Sequence, residues 1–246
     1  MAERTVLIIA YYFPPMGLSG VQRTLKFVKY LPENGWKPVV LTTAPTSFYA
    51  FDDTLDDDLR NEEIYIYRTA PKSADDLQSP KILKFRSYFI QRLGRAFLQT
   101  IYQPDRFIKW KKSALLLSEK IFAQHKIDVV FATAPPFTDF ILAQEISKKF
   151  NVPFVADYRD LWVDNPYHFY ATPFHKNYSI KLEKELLTTA EKIVVVTRHS
   201  KEVMLKRYGF LSHNDIAIIP HVQLLIPAYF RMTEHQNIFL KLYQIF

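Results

Sequence analysis

Short apolar runs that alternate with segments of helical period most constrain the fold of this chain. Several runs are apolar at every position, namely Val6–Ala10, Val129–Ala132 and Ile193–Val196. A strand with one wet face alternates apolar and polar residues, whereas a continuously apolar strand is buried on both faces. Strands of this kind occur in parallel sheets that helices cover on both sides.

The order of the predicted elements extends that argument. Segments of helical period, such as Phe137–Phe150, Lys176–Ala190 and Ser200–Tyr208, separate the predicted strands. The strands are Thr5–Tyr12, Pro38–Thr43, Ile64–Thr69, Asp128–Thr133, Val152–Ala156, Lys192–Thr197 and Ile216–Ile219. Regular alternation of strand and helix predicts an α/β fold with a doubly wound, mostly parallel, Rossmann-like sheet.

Composition excludes several classes of protein. The 246 residues are 48% apolar and 23% charged, as in ordinary globular proteins, and they include no cysteine. The chain therefore has no disulfide, thiol nucleophile or thiolate metal site. The first apolar run is too short for a signal peptide, and the longest uncharged stretch, Ile216–Phe230, is too short and proline-broken to span a bilayer. These features predict a cytoplasmic protein, either free or peripheral on the inner face of the membrane.

Positive charge is concentrated in one window, Lys81–Lys112. It holds nine Lys/Arg and one acid, a balance of +8 within a chain of net charge +7. Apolar side chains recur there every three or four residues, at Ile82, Phe85, Phe89, Leu93, Phe97 and Ile101. Such a helix either lies on an anionic membrane or packs on the sheet with its charges in solvent. A localised patch predicts a local anionic partner and no nucleic-acid binding.

The turn after the first strand predicts an anion site. Only five glycines occur in the chain, and Gly17 and Gly20 fall within four residues of each other at a predicted helix N-terminus. Because glycine has no side chain, an anion can approach the backbone N–H groups and the positive end of the helix dipole at these positions. Arg23 lies in the first helical turn, where a cation is unfavourable unless an anion is near. The prediction is a phosphate or sugar site, and the alternative is an ordinary loop with Arg23 in solvent.

Polar residues also follow the fourth and fifth strands, where ligands of such sheets bind. Asp157, Arg159, Asp160 and Trp162 provide groups that can bond sugar hydroxyls, stack on a sugar or act as acid and base. The alternative is an internal Asp–Arg pair that pins the loop. Thr133 opens a proline-rich turn that either ends the strand or forms a ligand wall. The seven histidines are scattered, so no metal site is predicted.

The motifs, taken in order, resemble glycosyltransferase family 4. They are Phe13-Pro14-Pro15 with Gly17, Gly20 and Arg23; Pro104-Asp105 and Trp110; Thr133-Ala134-Pro135-Pro136; Asp157-Tyr158-Arg159-Asp160-Leu161-Trp162; and Glu183 with Val194-Val195-Val196-Thr197. The resemblance implies the N-terminal, acceptor-side half of a GT-B fold. It also implies retaining transfer from a nucleotide-sugar donor to a glycan or lipid-linked acceptor, in surface polysaccharide or lipid-linked glycan synthesis. The nucleotide sugar is a substrate, and no cofactor is implied.

The same resemblance suggests roles for individual residues. In the family the glycine turn approaches the donor's diphosphate and sugar through backbone amides. Many members carry a histidine after the fourth strand, where this chain has Ala134 and Pro135. The catalytic candidates are therefore Asp157, Arg159 and Asp160, and the substrate-binding candidates are Gly17, Gly20, Arg23, Thr133 and Trp162.

The resemblance to the family ends at His221, and this boundary predicts two segments of the chain. Residues 1–221 form the Rossmann-like domain, and residues 222–246 are an atypical tail of a truncated or frameshifted product. Without the family's donor-binding domain, the isolated chain is expected to be inactive. The alternatives are a non-catalytic acceptor- or membrane-binding subunit that pairs with a separate donor-binding chain, and a sugar-nucleotide epimerase of similar fold.

Overall fold

The computed structural model describes residues 4–17, 19–45, 50–57, 59, 64–70 and 97–221. The predicted tail 222–246 and most of the basic window therefore lie outside the described residues. The strands are β1 (Arg4–Ile9), β2 (Trp36–Thr42), β3 (Tyr65–Arg68), β4 (Val129–Ala134), β5 (Phe154–Tyr158), β6 (Lys192–Val195) and β7 (Ile216–Ile218). The helices are α1 (Ser19–Tyr30), α2 (Thr54–Asp57), α3 (Trp110–Gln124), α4 (Thr138–Phe150), α5 (Pro173–Leu187) and α6 (Arg198–Arg207), with a 3₁₀ turn at Pro32–Asn34.

The seven strands form one sheet in the order β3-β2-β1-β4-β5-β6-β7. Every neighbouring pair is parallel. The predicted α/β fold with a parallel, Rossmann-like sheet is confirmed. The strand order reverses at β1, which lies between β2 and β4, and ligands of such sheets bind outside the carboxyl ends of the strands at this switch point.

The continuous apolar runs are explained by burial on both faces of the sheet. Leu7 and Ile9 of β1 point into one core cluster, which α3, α4, α5 and α6 cover. Val6 and Ile8 point into the opposite cluster, where Phe27 and Val28 of α1 pack. Successive side chains of a strand point to opposite faces, so both sets must be apolar when helices cover both sides.

Strand β5 is longer at its carboxyl end than the apolar pattern predicts. The predicted strand stops at Ala156, whereas the observed one continues through Asp157 and Tyr158, which pair with Thr133 and Ala134 of β4. The Asp157 side chain is fully buried. A buried charge requires a partner, and that partner comes from a distant part of the sequence.

A second buried carboxylate joins α5 to the end of α6. Glu183 is 3% exposed, and its Oε2 accepts a hydrogen bond from the Tyr208 hydroxyl at 2.6 Å. Burial raises the pKa of Glu183 to about 7, although the Tyr208 hydrogen bond opposes the shift. The folded protein therefore holds a proton on Glu183 at pH values where the unfolded chain has released it.

This proton predicts a specific pH dependence of stability. The folded-state pKa is above the unfolded one, so the contribution is complete below about pH 4 and is lost as pH rises through about 7. The loss amounts to about 3 kcal/mol at most. Urea unfolding between pH 5 and 8 should show a decline in the free energy of unfolding that Glu183→Gln removes. The exposed-site control Glu202→Gln should keep the decline, and equal slopes in all three proteins would contradict the assignment.

Candidate functional site

A buried ion pair lies at the carboxyl edge of the sheet. Arg23 of α1 donates from Nη2 to Asp157 Oδ1 at 2.7 Å and from Nε to Asp157 Oδ2 at 3.0 Å. The Thr133 hydroxyl donates to the same Oδ2 at 2.8 Å. Arg23 is therefore not in solvent, and the anion that its helical position requires is Asp157. The Asp–Arg pair weighed in the sequence lay within the Asp157–Trp162 cluster, whereas Asp157 pairs with Arg23 of a distant helix and Arg159 bonds backbone carbonyls.

Arg23 also reaches the end of the fold. Its Nη1 donates to the carbonyl oxygens of Ile219 at 2.9 Å and Pro220 at 3.2 Å. The guanidinium carbon lies 4.9 Å from the centre of the Phe27 ring, a cation–π contact. Every guanidinium nitrogen is thus engaged, which offsets much of the cost of removing the charge from water. One side chain connects α1, β5 and the segment after β7.

Arg159 connects the two turns that flank the switch point. Its Nη1 donates to the Gly20 carbonyl at 2.7 Å, and its Nη2 donates to the Pro135 carbonyl. Its own backbone N–H donates to the Ala134 carbonyl at 2.9 Å. Gly20 begins the helix after β1, and Pro135 follows β4, so Arg159 spans the crevice between these strands.

Both glycines of the first turn have packing reasons to be glycine. A Cβ at Gly20 would overlap Nη1 of Arg159, and a Cβ at Gly17 would lie 2.9 Å from Cβ of Asp52. The Gly17 N–H donates to the Ala50 carbonyl at 3.1 Å. The glycines therefore admit neighbouring parts of the chain, and the donor contacts suggested for them stay predictions.

Asp139 was not recognised from the sequence, although it lies in the crevice wall. It is fully buried in the first turn of α4, where a carboxylate is favourable to the helix dipole, and Oδ2 accepts from the Tyr11 N–H at 2.9 Å. Burial raises its pKa well above the ordinary value, while the Tyr11 hydrogen bond and the charge of Arg159 oppose the shift. Its Oδ1 and Nε of Arg159 are buried without a hydrogen-bond partner among the described residues.

Asp105 caps the same helix from outside. Its carboxylate accepts from the Thr138 N–H at 2.9 Å and from the Thr138 hydroxyl at 2.7 Å. Burial raises the pKa of Asp105, and these hydrogen bonds act in the opposite direction. The Pro104-Asp105 motif of the sequence thus fixes the start of α4. The sequence carried one signal for Asp139, namely its position shortly after the Pro135-Pro136 turn.

The remaining candidates differ in exposure. Asp160 is exposed, whereas Thr133 and Trp162 are buried. Trp162 stacks on Phe137, with ring centroids 4.8 Å apart and an interplanar angle of 7°. In this structure the indole is part of the core, where its ring is not open to a sugar. The catalytic role of Asp160 and the substrate-binding roles of Thr133 and Trp162 stay predictions.

His221 is a further residue that sequence reasoning did not single out as a site candidate. It follows Pro220 at the end of the described chain and is exposed. Loss of hydration lowers its pKa, and the positive charge of Arg23 adds to that effect, while Asp157 opposes it. The pKa of His221 is therefore sensitive to the charges of Arg23 and Asp157.

Two features are absent from the described residues. None of their helices is both long and apolar enough to cross a membrane. No group of three or more His, Asp or Glu side chains in the same part of the chain is arranged to hold a metal ion.

Comparison with known proteins shows one matching family model and several solved structures of similar fold. Residues 19–222 match the family model described as Glycosyltransferase Family 4. No curated protein sequence matches the chain. Sucrose-phosphate synthase from Thermosynechococcus elongatus aligns with a TM-score of 0.55 and 12% identity, over 88% of this chain and 48% of that one. A ugt transferase from Siraitia grosvenorii, solved with UDP, aligns with a TM-score of 0.48 and 11% identity, over 95% of this chain and 54% of that one.

Because the identity is only 12%, the alignment with sucrose-phosphate synthase shows a shared fold and nothing more. The chain spans about half the length of the solved structures that it matches.

Removal of the Arg23 side chain should strongly destabilise the domain. Arg23→Ala leaves Asp157 buried without its cation, a change that costs about 3–5 kcal/mol in other proteins. Chemical denaturation of the variant should show a loss in that range. The control is Arg198→Ala, because Arg198 forms an exposed ion pair with Glu202 at 3.0 Å and should contribute less than about 1 kcal/mol. Similar stability of the two variants would contradict the role given to Arg23.

A methyl group at Gly20 should destabilise the domain only because it would overlap the guanidinium of Arg159. Gly20→Ala forces the Arg159 guanidinium away from the Gly20 and Pro135 carbonyls, so we expect a loss of about 1–3 kcal/mol. Gly209→Ala is the control, since a Cβ there meets nothing within 4 Å. In an Arg159→Ala background the Gly20 substitution should cost little. An unchanged cost in that background, measured by denaturation, would contradict the packing explanation.

Proposed function

Because the chain belongs to glycosyltransferase family 4, we propose that it is the acceptor-side, N-terminal domain of a retaining, nucleotide-sugar-dependent glycosyltransferase. The single observation that carries this proposal is the family match over residues 19–222. It coincides with a parallel sheet whose switch point bears a cluster of charged side chains. The proposed acceptor is a glycan or a lipid-linked glycan of surface polysaccharide synthesis.

The geometry suggests a division of labour among the charged residues. Asp157 is fully engaged by Arg23 and Thr133, and Arg159 is engaged by two backbone carbonyls, so both act as positioning residues. Asp160 is exposed next to them. We assign to Asp160 the contact with an acceptor hydroxyl, because an exposed carboxylate can accept its hydrogen bond or its proton.

We propose that a second domain provides most of the contacts to the nucleotide-sugar donor. The chain spans 48% of the sucrose-phosphate synthase with which it aligns. The N–H of Gly17 donates to the Ala50 carbonyl within the chain, so this amide is not open to a diphosphate. The isolated chain is accordingly inactive. The membrane contact proposed for Lys81–Lys112 belongs to the same account, since a lipid-linked acceptor is presented at a membrane surface.

One experiment with two arms tests the function. Thermal denaturation of the chain with UDP-, GDP- and ADP-sugars should show no shift in Tm. The chain fused to the donor-binding domain of a family-4 enzyme should transfer sugar to a lipid-linked acceptor, and NMR of the product should show the anomeric configuration of the donor.

A clear Tm shift of the chain alone would contradict the half-enzyme proposal, and inversion in the product would contradict retention. Absence of transfer in the fusion, with co-purification of a separate donor-binding chain, would favour the non-catalytic subunit instead.

A further inference from the structure

Six large apolar side chains are exposed on two neighbouring segments near the carboxyl edge of β5. Scattered exposed apolar residues are normal on a protein surface, but a cluster on adjoining segments marks an interaction site. These residues, the aromatic surface hereafter, are Tyr167 (94% exposed), Phe174 (83%), Phe97 (67%), Phe169 (60%), Ile101 (50%) and Tyr178 (49%).

Side-chain hydrogen bonds hold the two segments together. The Gln99 side chain donates to the Phe169 carbonyl at 3.1 Å and accepts from the Ala171 N–H at 2.7 Å. The Thr100 hydroxyl and the His175 imidazole are 2.9 Å apart. The helical residues 97–101 therefore lie directly beside residues 169–175, and the exposed side chains of the two segments occur on adjoining parts of the surface.

The first turns of α5 carry two exposed aromatic side chains. A surface helix normally turns its apolar side to the core, and Leu186 and Leu187 near the end of α5 do so. Near its start, Phe174 and Tyr178, one turn apart, are exposed, whereas Ser179 is buried. The core of the domain therefore does not take up these two rings.

The neighbouring helical residues show the same outward apolar pair. Phe97 and Ile101 are four residues apart, on one face of the helix, and both are at least half exposed. They are the last members of the apolar stripe predicted in the basic window. At its described end the stripe therefore faces solvent and does not pack on the sheet.

The charge around the aromatic surface is positive. Residues 165–182 include Lys176, Lys181 and two histidines but no acid. Lys176 is exposed, and Lys181, whose side chain is 70% exposed, lies 3.8 Å from Oε1 of Glu185. The one acid of residues 97–112 is Asp105, whose carboxylate is used by Thr138.

We infer that the aromatic surface docks on an anionic lipid bilayer. Aromatic rings enter the boundary between headgroups and acyl chains, and the surrounding lysines attract anionic headgroups. The inference rests on the membrane association proposed above and deepens it. It identifies a contact surface built largely from residues 165–178, which lie outside the Lys81–Lys112 window. Residues 81–96 need take no part in this contact.

Vesicle binding by matched variants tests the inference. The full chain should co-sediment with vesicles of equal phosphatidylcholine and phosphatidylglycerol, and weakly with phosphatidylcholine alone. Phe174→Ser with Tyr178→Ser should weaken binding about tenfold or more, since two buried aromatic side chains are lost. Leu116→Ser is the control, because Leu116 is 57% exposed on α3, outside the aromatic surface. The charge arm compares Lys176→Gln with Lys181→Gln against Lys120→Gln on α3.

A tryptophan at position 174 reports insertion directly. The three native tryptophans, Trp36, Trp110 and Trp162, are all at most 6% exposed, so their emission should be insensitive to vesicles. In Phe174→Trp the added emission should shift to shorter wavelength with anionic vesicles and become shielded from iodide. Leu116→Trp should stay unshifted and quenchable.

Three outcomes would overturn the inference. They are no binding to anionic vesicles, equal binding by the Phe174/Tyr178 variant and the wild type, and an emission of Phe174→Trp that is already blue-shifted in buffer. The last result would mean that another part of the protein or a second copy covers the surface. No sugar nucleotide enters the assay, so its failure is independent of the test of sugar transfer.

Discussion

The buried ion pair of Arg23 and Asp157 is the interaction on which the carboxyl edge of this domain depends. It joins the first helix to the central strand β5, and through the carbonyls of Ile219 and Pro220 it reaches the segment after β7. A pair buried this deeply is not in itself a source of great stability, because both charges lose their hydration. Its effect is to fix geometry, since either charge left without the other is strongly unfavourable.

Two further links act on the same crevice. Arg159 holds the turn after β1 against the turn after β4, and Asp139 binds the Tyr11 N–H from the opposite wall. The scarce glycines serve this arrangement, because Gly20 admits the guanidinium of Arg159. Most of the polar contacts of these side chains are thus made within the protein, although Oδ1 of Asp139 and Nε of Arg159 have no hydrogen-bond partner among the described residues. Among the predicted catalytic residues Asp160 is the exposed one, and we regard it as the group left to meet an acceptor.

The fold could be predicted from the sequence because its signal is local. Runs such as Val6–Ala10 must be strands buried on both faces, and the helical segments between them dictate parallel connections. The proximity of the polar residues that follow β1, β4 and β5 was predictable too, since the carboxyl ends of parallel strands meet at one edge. The ion pair was not predictable, because Arg23 and Asp157 are 134 residues apart and periodicity carries no information on such pairs. For the same reason the strand β5 was predicted to end before its buried aspartate.

Individual roles were harder to predict than positions. An indole after a buried strand is compatible with a sugar platform, yet Trp162 is stacked on Phe137 inside the core. Asp139 lies close to the Thr133-Ala134-Pro135-Pro136 motif, but no pattern in the sequence marked it as a site residue. The exposed aromatic residues of α5 were also beyond sequence reasoning, because Phe174 and Tyr178 can be recognised as exposed only when the buried side of the helix is known.

The geometry of the carboxyl edge depends most on the coupling between Arg23 and Asp157, and a double-mutant cycle measures this coupling. The free energies of unfolding of the wild type, Arg23→Ala, Asp157→Ala and the double variant give the interaction energy of the two side chains. We expect a coupling of about 2–3 kcal/mol or more, so that the double variant loses clearly less stability than the sum of the two single losses. Additive losses, with a coupling below about 0.5 kcal/mol, would show that the crevice is held by other contacts and would contradict the account.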